Sequence, residues 1–338
     1  MKLLGIDIGG TKTSVCAGNE KGELFASRRM PMDHREAVDV FERKLIALCR
    51  EVLDAAALKL GHVTAIGISA PGPLNIRQGV LISPPNNPGW RNVPITAMVR
   101  NALGRPVFLN NDANACALAE AAYGSHRGAR NLIYLTFSTG LGGGIILNGQ
   151  LVQGSTDTGG EVGHQVLDPK GPRCGCGQRG CWEAYVGGRR VAERLQAKIR
   201  RRGLKTRIVE KAGGRIEDID LRALEAAARD GDPLALAEWD RFTERAAQGI
   251  GNLIMCLNPD VVVLGTIAIQ AGEFAMRPIR QKLKKYAWQW PLAACQIVPS
   301  ALGGRIGDLS AIAVATSGLA FQPAPAAIRR RAQVRAKR

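Results

Sequence analysis

The 338-residue sequence lacks any run of about 18 apolar residues, the length that a transmembrane helix requires. It also lacks the apolar core of a signal peptide, because Asp7 and the glycines after it interrupt the N-terminal segment. Its eight cysteines do not form a disulfide framework, since five are isolated in apolar surroundings and three cluster at 174–181. These absences predict a cytoplasmic protein that makes no contact with a membrane.

Acidic residues are scarce, because 29 Asp and Glu stand against 46 Lys and Arg, for a formal net charge of +17. Most of the excess lies in two segments, at +7 for residues 194–211 and +6 for residues 323–338. One hypothesis is that the tail binds nucleic acid or another acidic partner. We favour a solvated helix face for the first segment and a basic disordered tail for the second, so a nucleic-acid partner is not expected.

The length suggests two domains, and apolar strands mixed with amphipathic helices indicate an α/β protein. Strand, glycine-rich turn, strand and polar turn occur at residues 3–22 and again at 131–149, which is a weak internal repeat. The pattern also predicts one helix over about Trp182–Arg202. A later helix is predicted to have Asp232 as its N-cap and Pro233 at its first position.

Two glycine-rich segments follow apolar strands, at residues 7–12 (Asp-Ile-Gly-Gly-Thr-Lys) and at residues 136–144. Glycines let backbone N–H groups approach a phosphate, and Thr11 and Lys12 can add donors and charge. The first segment has neither the P-loop nor the dinucleotide-binding spacing. Each segment alone could be a simple hairpin turn, but the presence of two favours phosphate binding.

Asn111 and Asp112 end a predicted buried strand, where ligand sites of α/β proteins usually form. A carboxylate at this place can accept a proton from a hydroxyl group as a general base. The alternative is that Asp112 caps a helix that begins at Ala113. Position alone favours the capping role.

The most specific signal is His164 followed by Cys174, Cys176 and Cys181, with glycines between the cysteines. Three thiolates and one imidazole complete a tetrahedral zinc site that has no open position, so the metal would be structural. The alternative is a set of unrelated cysteines in a loop. The spacing strongly favours zinc.

Two glutamates, Glu161 and Glu183, flank this cluster. A loop held by zinc would fix both carboxylates, which could then hydrogen-bond a ligand that carries many hydroxyl groups. Each glutamate taken alone is equally compatible with a solvated surface position.

These residues together resemble the ROK family of sugar kinases and sugar-responsive repressors, within the actin/hexokinase-like superfamily. The match runs from Leu3 to about Ala320, and its most specific part is the segment from Glu161 to Glu183. Further family marks are the segments 7–12, 70–73, 86–90 and 111–115.

The resemblance implies an α/β, two-lobed, actin-like (ribonuclease H-like) duplicated fold with a structural zinc knot. Residues 1–112 would form the N-terminal lobe, which a C-terminal helix at about 307–321 completes. Residues 113–306 would form the C-terminal lobe, with the zinc loop at 164–181. Two lobes that close over the sugar would limit the hydrolysis of ATP by water.

The resemblance also implies an ATP-dependent hexose kinase in which Asp112 is the catalytic base for the sugar 6-hydroxyl. It assigns the substrate-binding residues as Asn86, Asn111, Asp112, Glu161, His164 and Glu183. His164 would use one ring nitrogen for zinc and the other for the sugar. The ATP phosphates, bridged by Mg²⁺, would lie against Asp7, Gly9, Gly10, Thr11, Lys12, Thr139, Gly140, Gly142, Gly143 and Gly265.

The resemblance leaves the substrate open: glucose, the substrate of a glucokinase in glycolysis, leads, with N-acetylmannosamine, N-acetylglucosamine, fructose and allose as alternatives. The turn at 265–268 (Gly-Thr-Ile-Ala) has fewer glycines than the family pattern, so ATP and another phosphoryl donor both stay open. A sugar-responsive repressor would need a helix-turn-helix domain before Asp7, which only six residues precede, so this regulator is not favoured. Family members are commonly dimers or tetramers, and we expect a homo-oligomer.

Overall fold

The computed structural model describes residues 1–84 and 87–320. Two compact units divide the chain, Met1–Asn110 together with the chain from Ala311 onward, and Asn111–Ser310. Asn86 and the predicted disordered tail at 323–338 lie outside the described residues.

The first unit is built on one five-stranded sheet. Its helices are α1 (Val38–Ala55), α2 (Ile95–Leu103) and, from Ala311 onward, the greater part of a C-terminal helix over Ile306–Ala320. Its strands are β1 (Lys2–Ile8), β2 (Lys12–Asn19), β3 (Leu24–Pro31), β4 (Val63–Ala70), β5 (Leu74–Asn75), β6 (Val80–Leu81) and β7 (Val107–Asn111). The sheet has the order β3-β2-β1-β4-β7, in which β1 and β2 form the predicted antiparallel hairpin and β1 and β4 run parallel.

The second unit contains a sheet of the same construction. Its strands are β8 (Leu132–Phe137), β9 (Leu141–Leu147), β10 (Gln150–Leu151), β11 (Val261–Thr266) and β12 (Gln296–Pro299). Their order is β10-β9-β8-β11-β12, with an antiparallel β8–β9 hairpin and parallel β8–β11 and β11–β12 pairs. The strand order of the first sheet therefore recurs in the second, which confirms the duplicated α/β fold.

The remaining helices follow the chain from the end of β7. They are α3 (Asp112–Tyr123), α4 (Trp182–Val186), α5 (Gly188–Arg202), α6 (Arg207–Lys211), α7 (Leu221–Arg229), α8 (Pro233–Leu257), α9 (Ile267–Ala271), α10 (Glu273–Leu283), α11 (Gln289–Ala294) and α12 (Ile306–Ala320). The predicted cap of α8 is confirmed, because the Asp232 side chain accepts a hydrogen bond of 2.8 Å from the Ala235 N–H. Within the described part of the chain, no helix is long and apolar enough to cross a bilayer.

Strand β8 separates two apolar clusters in the second unit, because successive side chains of a strand point to opposite faces of its sheet. Ile133, Leu135 and Phe137 join the large cluster that includes residues of α5, α7, α8 and α10. Leu132 and Tyr134 join a smaller cluster with residues of α3. Helix α3, which carries Asp112, is thus placed by the second of these faces.

The single helix predicted over Trp182–Arg202 is wrong, because Gly187 separates α4 from α5. Gly187 is extended, with φ −62° and ψ 128°. The next two amides, of Gly188 and Arg189, donate hydrogen bonds of 2.9 and 3.0 Å to two carbonyl oxygens in the turn after β8. The chain leaves the helical conformation here because these contacts bind the start of α5 to that turn.

Candidate active site and metal centre

The side chains of His164, Cys174, Cys176 and Cys181 converge, with their ligand atoms within 4.8 Å of one another. Cys174 Sγ lies 3.7 Å from His164 Nδ1, and Cys176 Sγ lies 3.7 Å from Cys181 Sγ. A tetrahedral zinc ion with bonds of about 2.0 Å to nitrogen and 2.3 Å to sulfur sets its ligands about 3.5–3.8 Å apart. The four residues therefore fit a zinc ion.

The three thiols of the cluster differ in acidity. Burial raises the pKa of the Cys181 thiol to about 12, and burial also raises the pKa of Cys174. A hydrogen bond from the backbone N–H of Gln178 is the main cause that lowers the pKa of Cys176. Two buried thiols stay protonated at neutral pH unless a cation compensates their charge, and a bound zinc ion supplies that charge.

The backbone of the zinc loop (residues 164–181) is folded by short pairings. Val166 forms an isolated antiparallel bridge with Cys181, and the Leu167 N–H donates a hydrogen bond of 2.8 Å to the Gly180 carbonyl. Gly180 has φ +72°, and a Cβ there would lie 1.7 Å from the Asp168 carbonyl oxygen. Only glycine fits this position, and the close approach brings Cys181 back toward the rest of the loop.

Glu183 lies in the first turn of α4 and connects the zinc loop with β9. One of its carboxylate oxygens accepts a hydrogen bond of 3.0 Å from the Leu141 N–H, and the other lies 3.8 Å from Cys174 Sγ. Glu161 is exposed, yet partial desolvation raises the pKa of its carboxyl. The charge of His164 opposes that rise in pKa and the charge of Glu183 adds to it, so these three predicted sugar ligands lie close enough to interact.

The capping role considered for Asp112 belongs to Asn111. The Asn111 side-chain oxygen accepts hydrogen bonds from the N–H groups of Ala113 (2.9 Å) and Asn114 (3.4 Å). Asp112 is the first residue of α3 and is exposed, and its Oδ1 lies 2.8 Å from the Ala113 nitrogen, within hydrogen-bond distance. The dipole of α3 favours a negative charge at this end of the helix. The interpretation of Asp112 as a simple N-cap is therefore wrong.

The second glycine-rich segment is only partly a turn. Thr139 and Gly140 lie between β8 and β9, whereas Gly142 and Gly143 belong to β9 and pair with Thr136 and Leu135 of β8. The paired glycines thus have a place in the sheet. Among the predicted phosphate ligands of this unit, only Thr139 and Gly140 lie in the turn itself.

The glycines of β9 let α3 and the segment before His164 approach the sheet. A Cβ on Gly144 would lie 2.6 Å from the Ala113 carbonyl oxygen, and one on Gly143 would lie 2.5 Å from Val162 Cγ2. Packing alone therefore explains these two positions. The start of α3 and the chain next to Glu161 are held against the same strand.

Sequence reasoning missed Asn114 as a candidate site residue. It is 1% exposed, and among the described residues its Oδ1 has no hydrogen-bond partner. That oxygen lies beside Gly160, the residue before Glu161. A signal was present, because Asn114 is a polar residue among the buried alanines 113, 115 and 117 of α3.

Gly265 and Thr266 end β11, next to β8. A Cβ on Gly265 would lie 2.2 Å from the Tyr134 hydroxyl oxygen, so this glycine is required by packing. Thr266 has φ +44° and ψ −89°, a strained conformation for a β-branched residue. Its hydroxyl lies 2.8 Å from the Thr136 hydroxyl, a pair that the sequence pattern did not reveal.

In the first unit, the predicted phosphate residues Asp7, Gly9, Gly10, Thr11 and Lys12 occupy the end of β1, the β1–β2 turn and the start of β2. The Asp7 carboxylate accepts a hydrogen bond of 2.9 Å from the Ser69 hydroxyl. The Gly9 N–H donates to the Lys12 carbonyl at 3.0 Å, so this amide closes the turn. Thr11 and Lys12 are exposed.

Comparison with known proteins shows similarity along nearly the whole chain. The ROK family model matches residues 3–317. A glucokinase of Thermotoga maritima is 34% identical over 315 residues, which cover 93% of this chain and 97% of that protein. A xylose repressor of Caldicellulosiruptor bescii is 27% identical over 321 residues, which cover 95% of this chain and 79% of the repressor.

Solved structures agree with this similarity. A ROK hexokinase from Thermus thermophilus has a TM-score of 0.82 and 33% identity, with 95% of this chain and 99% of that chain covered. A ROK family glucokinase from Streptomyces griseus, in complex with glucose and AMPPNP, has a TM-score of 0.77 and 28% identity. The match covers 94% of this chain and 100% of that chain. On the strength of the family match and of these relatives, the chain is a member of the ROK family.

Proposed function

We propose that this protein is a sugar kinase that transfers the γ-phosphoryl group of ATP to the 6-hydroxyl of a hexose. Glucose is the first candidate substrate, and its product would be glucose 6-phosphate. The observation that carries the proposal is the position of Asp112, exposed in the first turn of α3 while Asn111 caps that helix. The similarity to a glucokinase and to a ROK hexokinase supports it.

Asp112 would act as the general base. As the sugar oxygen attacks the phosphorus atom, the Asp112 carboxylate accepts the hydroxyl proton, which lowers the barrier to attack. Phosphoryl transfer depends mainly on alignment and charge stabilisation, so the rigidity of the start of α3 matters. The two Asn111 hydrogen bonds and the close packing on β9 supply that rigidity.

The remaining sugar hydroxyls would be bound by Asn86, Asn111, Glu161, His164 and Glu183. Zinc would have a structural role: with His164 Nδ1 facing Cys174, the other ring nitrogen of His164 would serve the sugar. Because Glu183 already accepts from the Leu141 N–H, its other oxygen, 3.8 Å from Cys174 Sγ, is the better candidate to accept a hydrogen bond from a sugar hydroxyl. The zinc loop would thus orient substrate ligands without taking part in the chemistry.

ATP would supply the phosphoryl group, and Mg²⁺ would neutralise charge on its phosphates. In the second unit the turn at Thr139 and Gly140 is the proposed phosphate contact, followed by Gly142, Gly143 and Gly265. In the first unit the proposed contacts are Asp7, Gly9, Gly10, Thr11 and Lys12. Of these, Thr11 and Lys12 contribute exposed side chains that carry a hydroxyl group and a positive charge.

Two alternatives remain as proposals. N-acetylmannosamine, N-acetylglucosamine or another hexose would use the same ring-hydroxyl ligands. A sugar-responsive regulator is the second class, because a xylose repressor matches 95% of this chain. A regulator would bind sugar without transferring phosphate, so catalysis separates the two classes.

The test is ADP release across a panel of hexoses and N-acetylhexosamines, for the wild type and Asp112→Asn. We expect the variant to lose about 10²–10⁴-fold in rate, the range for a general base, while zinc content and sugar binding persist. Asp39→Asn is the matched control, because Asp39 is also an exposed first-turn carboxylate, on α1. The absence of sugar-dependent ADP release with every sugar would contradict the proposal.

A further inference from the structure

The basic segment at 194–211 is only partly neutralised in the folded protein. Five of its eight basic side chains lie within ion-pair distance of an acidic partner, namely Arg194, Lys198, Arg200, Arg207 and Lys211. Among the described residues, Arg201, Arg202 and Lys205 have no acidic partner, and all three are exposed, the two arginines at the end of α5 and the lysine just after it. The unpaired charge of the segment therefore lies at the C-terminal end of α5 and in the three residues that follow it.

These arginines border a cavity of about 390 Å³ between α5 and α8. Helix α5 contributes residues at positions 194, 198, 201 and 202, a spacing that places them along one side of a helix. Helix α8 contributes Glu238 and Arg241, one turn apart. The charged lining thus consists of five cations and one carboxylate: Arg194, Lys198, Arg201, Arg202, Arg241 and Glu238.

The carboxylate of this lining, that of Glu238, already forms ion pairs with two of the cations. Glu238 is 4% exposed, and its two oxygens lie 2.7 Å from Lys198 Nζ and 3.8 Å from Arg194 Nε. Arg194 also donates to the carbonyl oxygens of Ala184 and Tyr185, at 3.2 and 3.4 Å. Glu238 therefore holds Arg194 and Lys198 in place and leaves Arg201, Arg202 and Arg241 uncompensated.

The five cations that line the cavity repel one another. Desolvation lowers the pKa of Arg194, and the positive charge of Arg241 lowers it further, while Glu238 opposes both effects. The dipole of α5 explains cations in its last turn, but it does not explain Arg241, which comes from the middle of α8. An anion in the cavity would relieve the repulsion among all five cations.

We propose that the cavity between α5 and α8 binds a compact anion that carries several phosphoryl groups. Guanidinium groups match phosphate oxygens in a bidentate way, and four of the five cations are arginines. A rise of 1.5 Å per residue spreads positions 194–202 over about 12 Å, which a short oligophosphate can follow. The cavity volume lies at the lower end of small-ligand pockets, which favours a compact anion over a nucleic-acid duplex.

This site uses none of the residues assigned to catalysis, sugar binding or zinc, so it does not depend on the proposed kinase activity. The test is calorimetric titration of tripolyphosphate into the full chain, in which comparison of a cavity variant with a charge-matched control separates this site from any donor site. The cavity variant is Arg201→Gln/Arg202→Gln/Arg241→Gln. All three positions are exposed, so we expect the substitutions to leave the fold unchanged. The control Arg50→Gln/Arg100→Gln/Arg127→Gln removes the same charge from other exposed positions.

We expect the wild type and the control to bind tripolyphosphate equally, and the cavity variant to bind at least about ten-fold more weakly, as loss of charged hydrogen bonds predicts. Equal affinity in all three proteins, or no binding by the wild type, would overturn the site. Tighter binding of a DNA duplex than of tripolyphosphate, lost in the same variant, would also overturn it in favour of a nucleic-acid surface. Kinase activity is measured separately, so its absence would leave this result unaffected.

Discussion

The Glu183 carboxylate accepts a hydrogen bond of 3.0 Å from the backbone N–H of Leu141. Leu141 is 5% exposed at the start of β9, so water cannot readily replace this acceptor. The second oxygen of the same carboxylate lies 3.8 Å from Cys174 Sγ. One side chain therefore joins the turn after β8 to the zinc loop.

We expect Glu183→Ala to lower the free energy of unfolding by about 1–3 kcal/mol, because it leaves the buried Leu141 N–H without an acceptor. Glu183→Gln keeps an acceptor oxygen at this place and should lose less than half as much. Urea unfolding of the zinc-loaded proteins measures both losses. Equal losses in the two variants would show that the hydrogen bond does not stabilise the fold.

The zinc loop predicts one zinc ion per chain. Cys181→Ser should not retain this zinc ion, because the change removes one of four converging ligands and the other three cannot complete a tetrahedron. Cys256→Ser is the matched control, since Cys256 is exposed and lies outside the cluster. Zinc is quantified by chromogenic release after thiol modification, and thermal unfolding is followed in parallel.

Chelation should lower the melting temperature of the wild type and of Cys256→Ser, because metal binding is linked to folding. It should leave Cys181→Ser unchanged. Zinc that persists at full stoichiometry in Cys181→Ser would exclude this cysteine as a ligand.

The start of α5 depends on the absence of a side chain at Gly188. A Cβ there would lie 2.7 Å from the Ser138 carbonyl oxygen, which already accepts the Gly188 N–H at 2.9 Å. We expect Gly188→Ala to lower the free energy of unfolding by about 1–3 kcal/mol through overpacking. If the turn at 138–140 binds phosphate as proposed, the KM for ATP should rise as well.

The control for this change is Gly61→Ala. Its nearest atom would be Arg105 Nη2 at 3.8 Å, so the effect should stay within about 0.5 kcal/mol. Urea unfolding and nucleotide titration are run on both variants. Equal stability of Gly188→Ala and Gly61→Ala would mean that the contact between α5 and the turn can relax without cost.

Glu120 predicts a pH-dependent part of the stability. It lies on α3, is 2% exposed, and accepts a hydrogen bond from the Ser300 hydroxyl. Burial raises the pKa of its carboxyl above 4.5, although Ser300 and His126 oppose the rise. Between pH 4.5 and the raised pKa the folded state binds more protons than the unfolded state, so the free energy of unfolding falls as pH increases.

Glu120→Gln should remove this slope, because an amide does not titrate. The free energy of unfolding is measured from about pH 4.5 to pH 7.5 for the wild type, Glu120→Gln and the exposed control Glu51→Gln. As pH rises, the free energy of unfolding of the wild type and of Glu51→Gln should fall by the same amount relative to that of Glu120→Gln. Parallel curves for all three proteins would show that Glu120 does not cause the pH dependence.

The zinc loop could be predicted because its chemistry is local. His164 and the three cysteines lie within 18 residues of one another, and thiolates with imidazole form a donor set that suits zinc. The duplicated fold was implied by the resemblance to the ROK family, whereas the recurring strand and turn pattern was only a weak sign of it. The strand order of the second sheet, which repeats that of the first, confirms it.

Other parts of the site could not be predicted from local patterns. The glycines at 142 and 143 resemble a phosphate turn, but the structure places them in β9 because of contacts with chain segments before and after it. The helix predicted over Trp182–Arg202 runs through the pair Gly187-Gly188, which weakens a helix but does not by itself fix where it ends. Hydrogen bonds to carbonyls about 50 residues earlier along the chain decide that break.

The sequence by itself determined the α/β class, the four-residue donor set for zinc and the amount of basic charge. Only the tertiary structure decided that Asn111 caps α3, that Glu183 holds the Leu141 amide, and which arginines of 194–211 lack an acidic partner. The physical reason is the distance along the chain over which each interaction acts. Ligand chemistry and hydrophobic period belong to a residue and its neighbours, whereas hydrogen-bond partners, clearance for a Cβ and compensation of charge depend on segments that only folding brings together.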